Sequence, residues 1–241
     1  MASSREVAAI ENGLRAVGTP QRATGEKRYL KSDLEFVGAT VPQVRKQARV
    51  WLRSHTGVER EELVGLVKSL WRSRVHELRS FGVELLIDRG SLLLASDLDL
   101  IEWIVRRANT WAHVDPVAIN VLGPLVDRYP ELEAVLDRWA EDENRWMRRS
   151  ALLAHLLPMR RGEGEWQRFT RYADQMLEEK EFFIRKAIGW VLREAAKVTP
   201  DRVVGFLEPN LGRISGLTLR EATRHLDTDI REQLVTGYKP R

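Results

Sequence analysis

The sequence lacks cysteine altogether, in a chain of 241 residues. This absence excludes a disulfide framework, a thiolate zinc site and a catalytic thiol. The five histidines are scattered and do not have the spacing of metal ligands. We therefore expect no metal and no cofactor.

Long hydrophobic runs are also missing. No segment approaches the roughly eighteen uninterrupted apolar residues of a membrane helix, because Arg, Glu or Asp interrupts the longest candidates. The N-terminus, Met-Ala-Ser-Ser-Arg-Glu-Val, does not have the basic and then apolar pattern of a secretory signal. The sequence therefore predicts a cytoplasmic protein that does not associate with membranes.

Alternating β-branched runs and glycine-rich strand-to-helix turns are scarce, whereas apolar residues recur at helical period along nearly the whole chain. The fold class is therefore predicted to be all-α. Helix starts are predicted at Ser3 with Glu6, Thr40 with Pro42, Thr199 with Pro200, and Thr218 with Glu221.

Four similar strings recur along the chain, beginning at Val75, Trp111, Trp146 and Phe183. Their starts are 36, 35 and 37 residues apart, a period typical of antiparallel helix pairs. We therefore predict a single domain over residues 1–241, with HEAT-like helical repeats stacked as a curved solenoid with a concave basic face. Chance similarity between short arginine-rich helices is the alternative.

The placement of the cations carries more information than their number. The net charge is only +4, but the cations divide into 31 arginines and 8 lysines. Arginine suits multidentate phosphate contacts better than lysine does. A GC-rich genome produces the same bias, so the position of each cation has to decide between the two explanations.

The helix predicted from about 184 to 197 has two different faces. Taking about 100° per residue, the apolar face consists of Ile184, Ile188, Val191 and Ala195. The other face, within roughly 60°, consists of Lys186, Trp190, Arg193 and Lys197. A tryptophan among solvated cations is unusual, because burying its large ring is normally favourable. This face is therefore predicted to contact a ligand.

A second basic face is predicted one repeat earlier. The sequence there is expected to bury Trp146 and to expose Arg145, Arg148, Arg149 and His155. Two adjacent cationic faces indicate a groove that follows a phosphate backbone. An acidic protein partner and two unconnected solvated faces are the alternatives.

Between these features and the N-terminus, Trp111 and Asp115 are four residues apart. If this segment is helical, the ring and the carboxylate share a face. Because Pro116 follows Asp115, the local sequence instead favours Asp115 as an N-cap. His113 is interpreted as a surface or packing histidine, since nothing nearby is a nucleophile that it could activate.

One string closely resembles the AlkD family of bacterial alkylpurine DNA glycosylases, which have a HEAT-like helical fold: Glu181-Phe-Phe-Ile-Arg-Lys-Ala-Ile-Gly-Trp-Val-Leu-Arg-Glu-Ala-Ala-Lys197. Further segments resemble the family at Arg28-Tyr-Leu-Lys31, Phe36-Val-Gly-Ala-Thr-Val-Pro42 with Arg45, Trp111 to Asp115, Trp146-Met-Arg-Arg-Ser-Ala151, and Leu219-Arg-Glu-Ala-Thr-Arg-His225. The likeness is thus spread over most of the chain. Two departures are Thr110, where the family can carry another aromatic residue, and Pro116.

The resemblance implies roles for individual residues. It makes Asp115 the catalytic carboxylate, and it places Trp111 and Trp190 on either side of the lesion. Together with the basic faces, it implies DNA contacts by Tyr29, Lys31, Arg148, Arg149, Lys186, Arg193 and Lys197.

The function implied is that of a monofunctional DNA glycosylase in base excision repair. Such an enzyme would hydrolyse the N-glycosidic bond of cationic N3- or N7-alkylated purines in duplex DNA, and would leave an abasic site without flipping the base. We expect it to act as a monomer close to the nucleoid. The alternatives are a non-catalytic HEAT-like protein that binds distorted or branched DNA, and a scaffold for an acidic protein. A simple methyl adduct and a bulky adduct are equally compatible with the sequence.

Overall fold

The computed structural model describes residues 4–239, and most of them are helical. The predicted all-α class is confirmed, because the described residues form no strand and only a single parallel bridge joins Glu35 to Val75. Within the same residues, no helix has both the length and the apolar character needed to cross a membrane. The helix start predicted at Ser3 lies outside the described residues.

The chain forms two compact units, one that ends at Val117 and one that begins at Ala118. The single domain predicted for residues 1–241 stays a prediction. The helices of unit 1 are α1 (Ser4–Val17), α2 (Pro20–Leu30), α3 (Val41–Ser54), α4 (Arg60–Arg72), α5 (His76–Asp88), α6 (Leu98–Ala108) and α7 (Trp111–Val117).

Unit 2 begins with a π-helical turn over Ala118–Leu122. Its α-helices are α8 (Gly123–Arg128), α9 (Glu133–Ala140), α10 (Arg145–Leu153), α11 (Leu156–Arg161), α12 (Trp166–Gln175), α13 (Phe182–Ala195), α14 (Pro200–Leu207), α15 (Gly216–Ala222) and α16 (Thr228–Gly237).

Helix pairs generate the core of each unit. In unit 1, α4 packs against α5 through leucines that recur at helical spacing and are fully buried: Leu63, Leu66, Leu70, Leu78, Leu85 and Leu86. Burying each of these side chains contributes about 1.5–3 kcal/mol. In unit 2, α13 packs most extensively against α15.

The four similar strings fall at equivalent places in the fold. Val75 immediately precedes α5, Trp111 begins α7, and Trp146 and Phe183 are the second residues of α10 and α13. Helix α5 packs against α7 in unit 1, and α10 packs against α13 in unit 2. The predicted stacking of HEAT-like repeats through their second helices is therefore confirmed within each unit.

Ion pairs also join successive repeats. In unit 2 these pairs connect α9 to α12, the start of α10 to the loop before α13, and α11 to its neighbours. They are Glu133–Arg168, Asp137–Arg171, Arg148–Glu179, Arg161–Asp127 and Arg160–Glu194. The partners are 31–35 residues apart, close to the repeat period. Each pair on an exposed surface contributes little alone, but together they mark the register between repeats.

The helix starts predicted at Thr40 and Thr199 are confirmed. Thr40 caps α3 in a full capping box, in which its hydroxyl accepts from the Gln43 amide at 3.3 Å and the Gln43 side chain accepts from the Thr40 amide at 2.7 Å. Thr199 occupies the N-cap position of α14, with Pro200 as the first helical residue.

The helix start predicted at Thr218 is wrong. Helix α15 begins at Gly216, and the hydroxyl of Ser215 caps it by accepting from the Thr218 amide at 3.1 Å. The Thr218 hydroxyl instead donates to the carbonyl of Arg185, 3.1 Å away on α13. The Thr218 hydroxyl, which the capping-box spacing assigned to an N-cap, therefore joins α15 to α13.

Candidate nucleic-acid interface

The segment that carries Trp111 and Asp115 is helical, so the N-cap interpretation of Asp115 is wrong. Thr110 occupies the cap position, where its hydroxyl accepts from the Ala112 amide at 3.3 Å and its carbonyl accepts from the Val114 amide at 3.2 Å. Asn109, just before it, adopts a left-handed conformation with φ of 50° that asparagine tolerates well. Asp115 therefore lies one turn inside α7, on the same face as Trp111.

Pro116 sits inside α7 against two local preferences. Proline gives no N–H to a helix, and it disfavours the α conformation of the residue before it. Tertiary packing overrides both effects, because Val114 and Val117 are fully buried and α7 packs against α5 and α6. The backbone at Asp115 is thus fixed from both sides, and its carboxylate belongs to a residue that is only 8% exposed.

Trp111, Asp115 and Tyr29 form the aromatic–carboxylate cluster of unit 1. The Tyr29 ring stands edge-on to the Trp111 ring, with centroids 6.1 Å apart and an angle of 89° between the planes. Tyr29 is 72% exposed and Trp111 is partly exposed. Two aromatic rings therefore lie open to the surface next to a helix face that carries a nearly buried carboxylate.

Cations surround Tyr29 at the end of α2. Lys31 ends the helix in a left-handed conformation, with φ of 49°, which is uncommon for a lysine. Lys27 and Arg28 lie in the last turn, where positive charge complements the helix dipole. Among the described residues, none of these three cations has an ion-pair partner, and all three are exposed. This end of α2 is thus available to an anionic ligand.

His113 is a packing residue, as interpreted from the sequence. It is 1% exposed, stacks on His76 with centroids 4.3 Å apart, and contacts Ser80 through Nε2 at 3.1 Å. Burial is the main cause that lowers the pKa of His113 well below its usual value, and the neighbouring His76 adds to it. Burial likewise lowers the pKa of His76 to about 4. Both rings are therefore neutral near pH 7.

In unit 2, the two faces predicted for α13 are confirmed. The four residues of the apolar face are fully buried: Ile184, Ile188, Val191 and Ala195. The residues of the other face are all partly or largely exposed: Lys186, Trp190 and Arg193 on the helix and Lys197 in the turn that follows it, since α13 ends at Ala195 and not at about 197. The Arg193 guanidinium lies 6.0 Å from the centre of the Trp190 ring, which is within the range of a cation–π contact.

The cations of this face are not free, which the sequence reasoning missed. Glu221 on α15 accepts from Lys186 at 2.5 Å and from Arg193 at 2.6 Å. Burial alone would raise the pKa of Glu221, but its hydrogen bond to Lys186 and the charges around it lower the pKa below its usual value. Lys197 is paired in the same way with Glu194, at 2.6 Å. Glu221 follows Lys186 by 35 residues, so the repeat period was the only signal for it in the sequence.

The second basic face, on α10, is only partly as predicted. Trp146 is buried and Arg145 is exposed, as expected. Arg149, however, is 3% exposed, and its guanidinium donates to the carbonyl of Phe183 while lying 5.7 Å from the ring centre of that residue. The prediction that Arg149 projects to solvent is wrong, because α13 covers that side of α10. Arg148 is half-buried and held by Glu179 at 2.9 Å.

His155 is also buried rather than exposed. Helix α10 ends at Leu153, and His155 lies in the turn before α11. A helical wheel extended past the end of the helix therefore placed this side chain on the wrong side. Its ring packs against Phe169 and Tyr172, at centroid distances of 6.1 and 5.7 Å.

These observations define a class of protein: an all-helical protein of stacked helix pairs whose surface carries aromatic rings, a nearly buried carboxylate and clustered cations. The sequence pattern of the DNA alkylation repair enzyme family matches residues 10–226. The chain belongs to this family.

Two solved structures have a similar fold. A predicted DNA alkylation repair enzyme from Enterococcus faecalis is 21% identical, with a TM-score of 0.79 over 88% of this chain and 97% of its own. AlkD2 from Streptococcus mutans is 18% identical, with a TM-score of 0.64 over 93% of this chain and 99% of its own. At these identities the likeness establishes the fold alone. No curated protein matches the sequence.

Proposed function

We propose that the protein is a monofunctional DNA glycosylase that removes cationic N3- or N7-alkylated purines from duplex DNA and leaves an abasic site. The observation that carries this proposal is the placement of Asp115 on the same helix face as Trp111, with Tyr29 against the Trp111 ring. A single anion beside aromatic rings suits a reaction in which positive charge develops on a sugar.

The chemistry of the substrate explains why one carboxylate is sufficient. An alkylated purine is already positively charged, so it leaves without protonation by a general acid. As the glycosidic bond breaks, positive charge grows on the deoxyribose. A fixed anion near C1′ stabilises that charge more in the transition state than in the ground state. Asp115 fills this role, and its carboxylate also orients the water that attacks the sugar.

The aromatic rings act on the same charge. The faces of tryptophan and tyrosine rings attract cations, and each contact contributes about 0.5–2 kcal/mol depending on how dry it is. Trp111 and Tyr29 provide such rings next to Asp115 in unit 1. The catalytic role of Trp190, on α13, is proposed from the sequence resemblance alone. Since Tyr29 is largely exposed, the cluster suits a substrate approached along its sugar and backbone, with no flipping of the base into a pocket.

The DNA backbone is held by the cations around these rings. Lys31, at the end of α2, is exposed, and no ion pair involves it among the described residues. Lys186 and Arg193 lie on either side of Trp190 but are bound to Glu221. We propose that both still contact DNA, and that Glu221 fixes the orientation of their side chains. Arg149 supports the same surface through its contact with Phe183 at the start of α13.

The first experiment compares Asp115→Asn with the parent protein on a duplex that contains one N7-methylguanine. Under single-turnover conditions with saturating enzyme, we expect base release to slow by about 10²–10³-fold, the usual effect of removing one charge-stabilising group. Affinity for an undamaged duplex should stay within about twofold. Base release at the parental rate would disprove the role of Asp115.

Asp99→Asn is the matched control, since Asp99 is an exposed aspartate in the first turn of α6. It makes the same chemical change in the same unit and should leave base release unaltered. If the parent binds duplex DNA but releases no base from any alkylated substrate, the protein is instead a non-catalytic DNA-binding member of the family. If it binds no duplex at moderate salt, both interpretations fail.

A further inference from the structure

We propose that the exposed face of α3 is a second DNA-backbone contact surface, separate from the aromatic–carboxylate cluster and devoted to affinity rather than chemistry. This inference rests on the proposed function for its ligand, duplex DNA. The surface, called the α3 ridge below, consists of Arg45, Lys46, Arg49 and Arg53.

The composition of α3 sets it apart. Its fourteen residues include four cations and no acidic residue. The adjacent helix α4 has Lys68 and Arg72 on its surface, but it also carries Glu61 and Glu62 in its first turn. A helix with charge of only one sign repels itself and gains from a ligand of opposite sign.

The folding of α3 gathers these cations on one side. Val44, Ala48, Trp51 and Leu52 face the core and are buried. At 100° per residue Lys46, Arg49 and Arg53 then fall on the opposite side of the helix, and Arg45 lies at the edge of that side. They line a shallow groove of about 430 Å³ together with Pro42. Arg49 and Arg53 also line an adjoining groove of about 300 Å³ that reaches Asp88 and Arg89 at the end of α5.

The acidic groups near the ridge are already occupied. Glu84 binds Arg45 at 2.9 Å, and Asp88 binds Arg89 at 2.6 Å. Lys46, Arg49 and Arg53, by contrast, make no ion pair with any described residue. Of the five cations on the two grooves, three are therefore left for a ligand. Around Trp190, by contrast, Lys186 and Arg193 on α13 and Lys197 just after it are each held by a carboxylate.

The spacing of the three cations suits one strand of a duplex. From Lys46 to Arg53 the helix rises by about 10 Å, at 1.5 Å per residue. A strand of duplex DNA carries one phosphate per about 3.4 Å of helix axis, so about three phosphates fall within that length. The long side chains of lysine and arginine cover the remaining differences in position.

The test uses a double variant, Arg49→Gln with Arg53→Gln, and a matched control, Lys68→Gln with Arg72→Gln. Both pairs are exposed cations four residues apart on neighbouring helices of unit 1, and both remove two charges. Binding of an undamaged fluorescent duplex is measured from about 50 to about 200 mM salt. Because the readout is binding to undamaged DNA, it does not depend on whether the protein is a glycosylase.

In the ridge variant, we expect the slope of log K against log salt to become shallower by about 1.8, which corresponds to two lost phosphate contacts. Affinity should fall by about 30-fold at about 0.15 M salt, because each contact contributes about 0.75 of a log unit there. The control should change the slope by less than half as much. The single-turnover rate of base release at saturating enzyme should be the same in all three proteins.

Equal effects of the two double variants would overturn the proposal, because they would show only the loss of general positive charge. Unchanged DNA binding by the ridge variant, with loss of binding to polyglutamate, would also overturn it and would identify an acidic protein as the partner. If base release fails in the parent while the slope still depends on the ridge, the proposed glycosylase function fails and the assignment of the ridge stands.

Discussion

The burial of His155 predicts that this residue makes the protein less stable in mild acid, and substituting it should remove its share of that loss. Burial lowers the pKa of His155 to about 4 from an ordinary value of 6.5, and the charge of Arg168 lowers it further while Asp137 opposes it. The ring Nε2 is buried, and among the described residues it has no hydrogen-bond partner. The folded protein therefore keeps this ring neutral where the unfolded chain protonates it.

The sign and size of the effect follow from these two values. Between pH 6.5 and 4 the unfolded chain binds more protons at His155 than the folded protein does, so stability falls as the pH falls. Well above pH 6.5 the ring is neutral in both the folded and the unfolded protein, so it costs no stability there. At about pH 4.5 it amounts to a loss of about 2.5 kcal/mol of unfolding free energy, a substantial part of the stability of an ordinary domain.

The assay is urea unfolding of the parent, His155→Gln and His155→Phe at about pH 7.5 and about pH 4.5. Both variants should lose about 2.5 kcal/mol less than the parent between these two pH values, whatever constant offset the substitution causes. His225→Gln is the control, since His225 is exposed and its loss should leave the parental difference in place. Identical pH dependence in the parent and both His155 variants would refute the argument, as would an NMR titration of this ring at a pKa near 6.5.

Three more substitutions test the packing. Glu77 is buried and accepts from the Val37 amide at 3.1 Å and the Gly38 amide at 2.7 Å. Glu77→Gln replaces one acceptor by a donor, so it should lower the unfolding free energy measured in urea by about 1–3 kcal/mol. An unchanged urea midpoint would contradict these hydrogen bonds. A Cβ on Gly189 would lie 2.6 Å from the Glu221 Cβ; Gly189→Ala should therefore cost about 1–3 kcal/mol. Gly205→Ala, in open space on α14, should stabilise the protein by about 0.4–1 kcal/mol, and equal effects of the two alanines would show that α13 and α15 are not in close contact.

The sequence predicted best what depends on periodicity. On α13, apolar residues recur at the helical period over the whole helix, so both of its faces could be assigned from the sequence alone. The repeat period was equally readable, because it places similar strings at the starts of equivalent helices. Both periods can be recognised in the sequence because each is averaged over many residues, so single exceptions do not hide it.

The sequence failed where one residue could serve two purposes. At the start of α7, Thr110 and Asp115 are both residue types that are common at N-caps, and packing against α5 and α6 decides which of them caps the helix. The pairing of Lys186 and Arg193 with Glu221 is a contact between helices, which a helical wheel cannot show. The burial of Arg149 by α13 escaped prediction for the same reason. The roles of these residues toward DNA stay predictions.

The ion pairs between successive repeats have a consequence for how such a chain can change in length. Asp137 and Arg171, like Lys186 and Glu221, are 34 or 35 residues apart. An insertion of a few residues inside a helix would rotate the later charges of that helix away from their partners, since each added residue turns the helix by about 100°. Adding or removing one whole repeat would instead keep the charges of each helix on the same face. We therefore expect the fold to accept a change in length of one helix pair more readily than a shorter insertion within a helix.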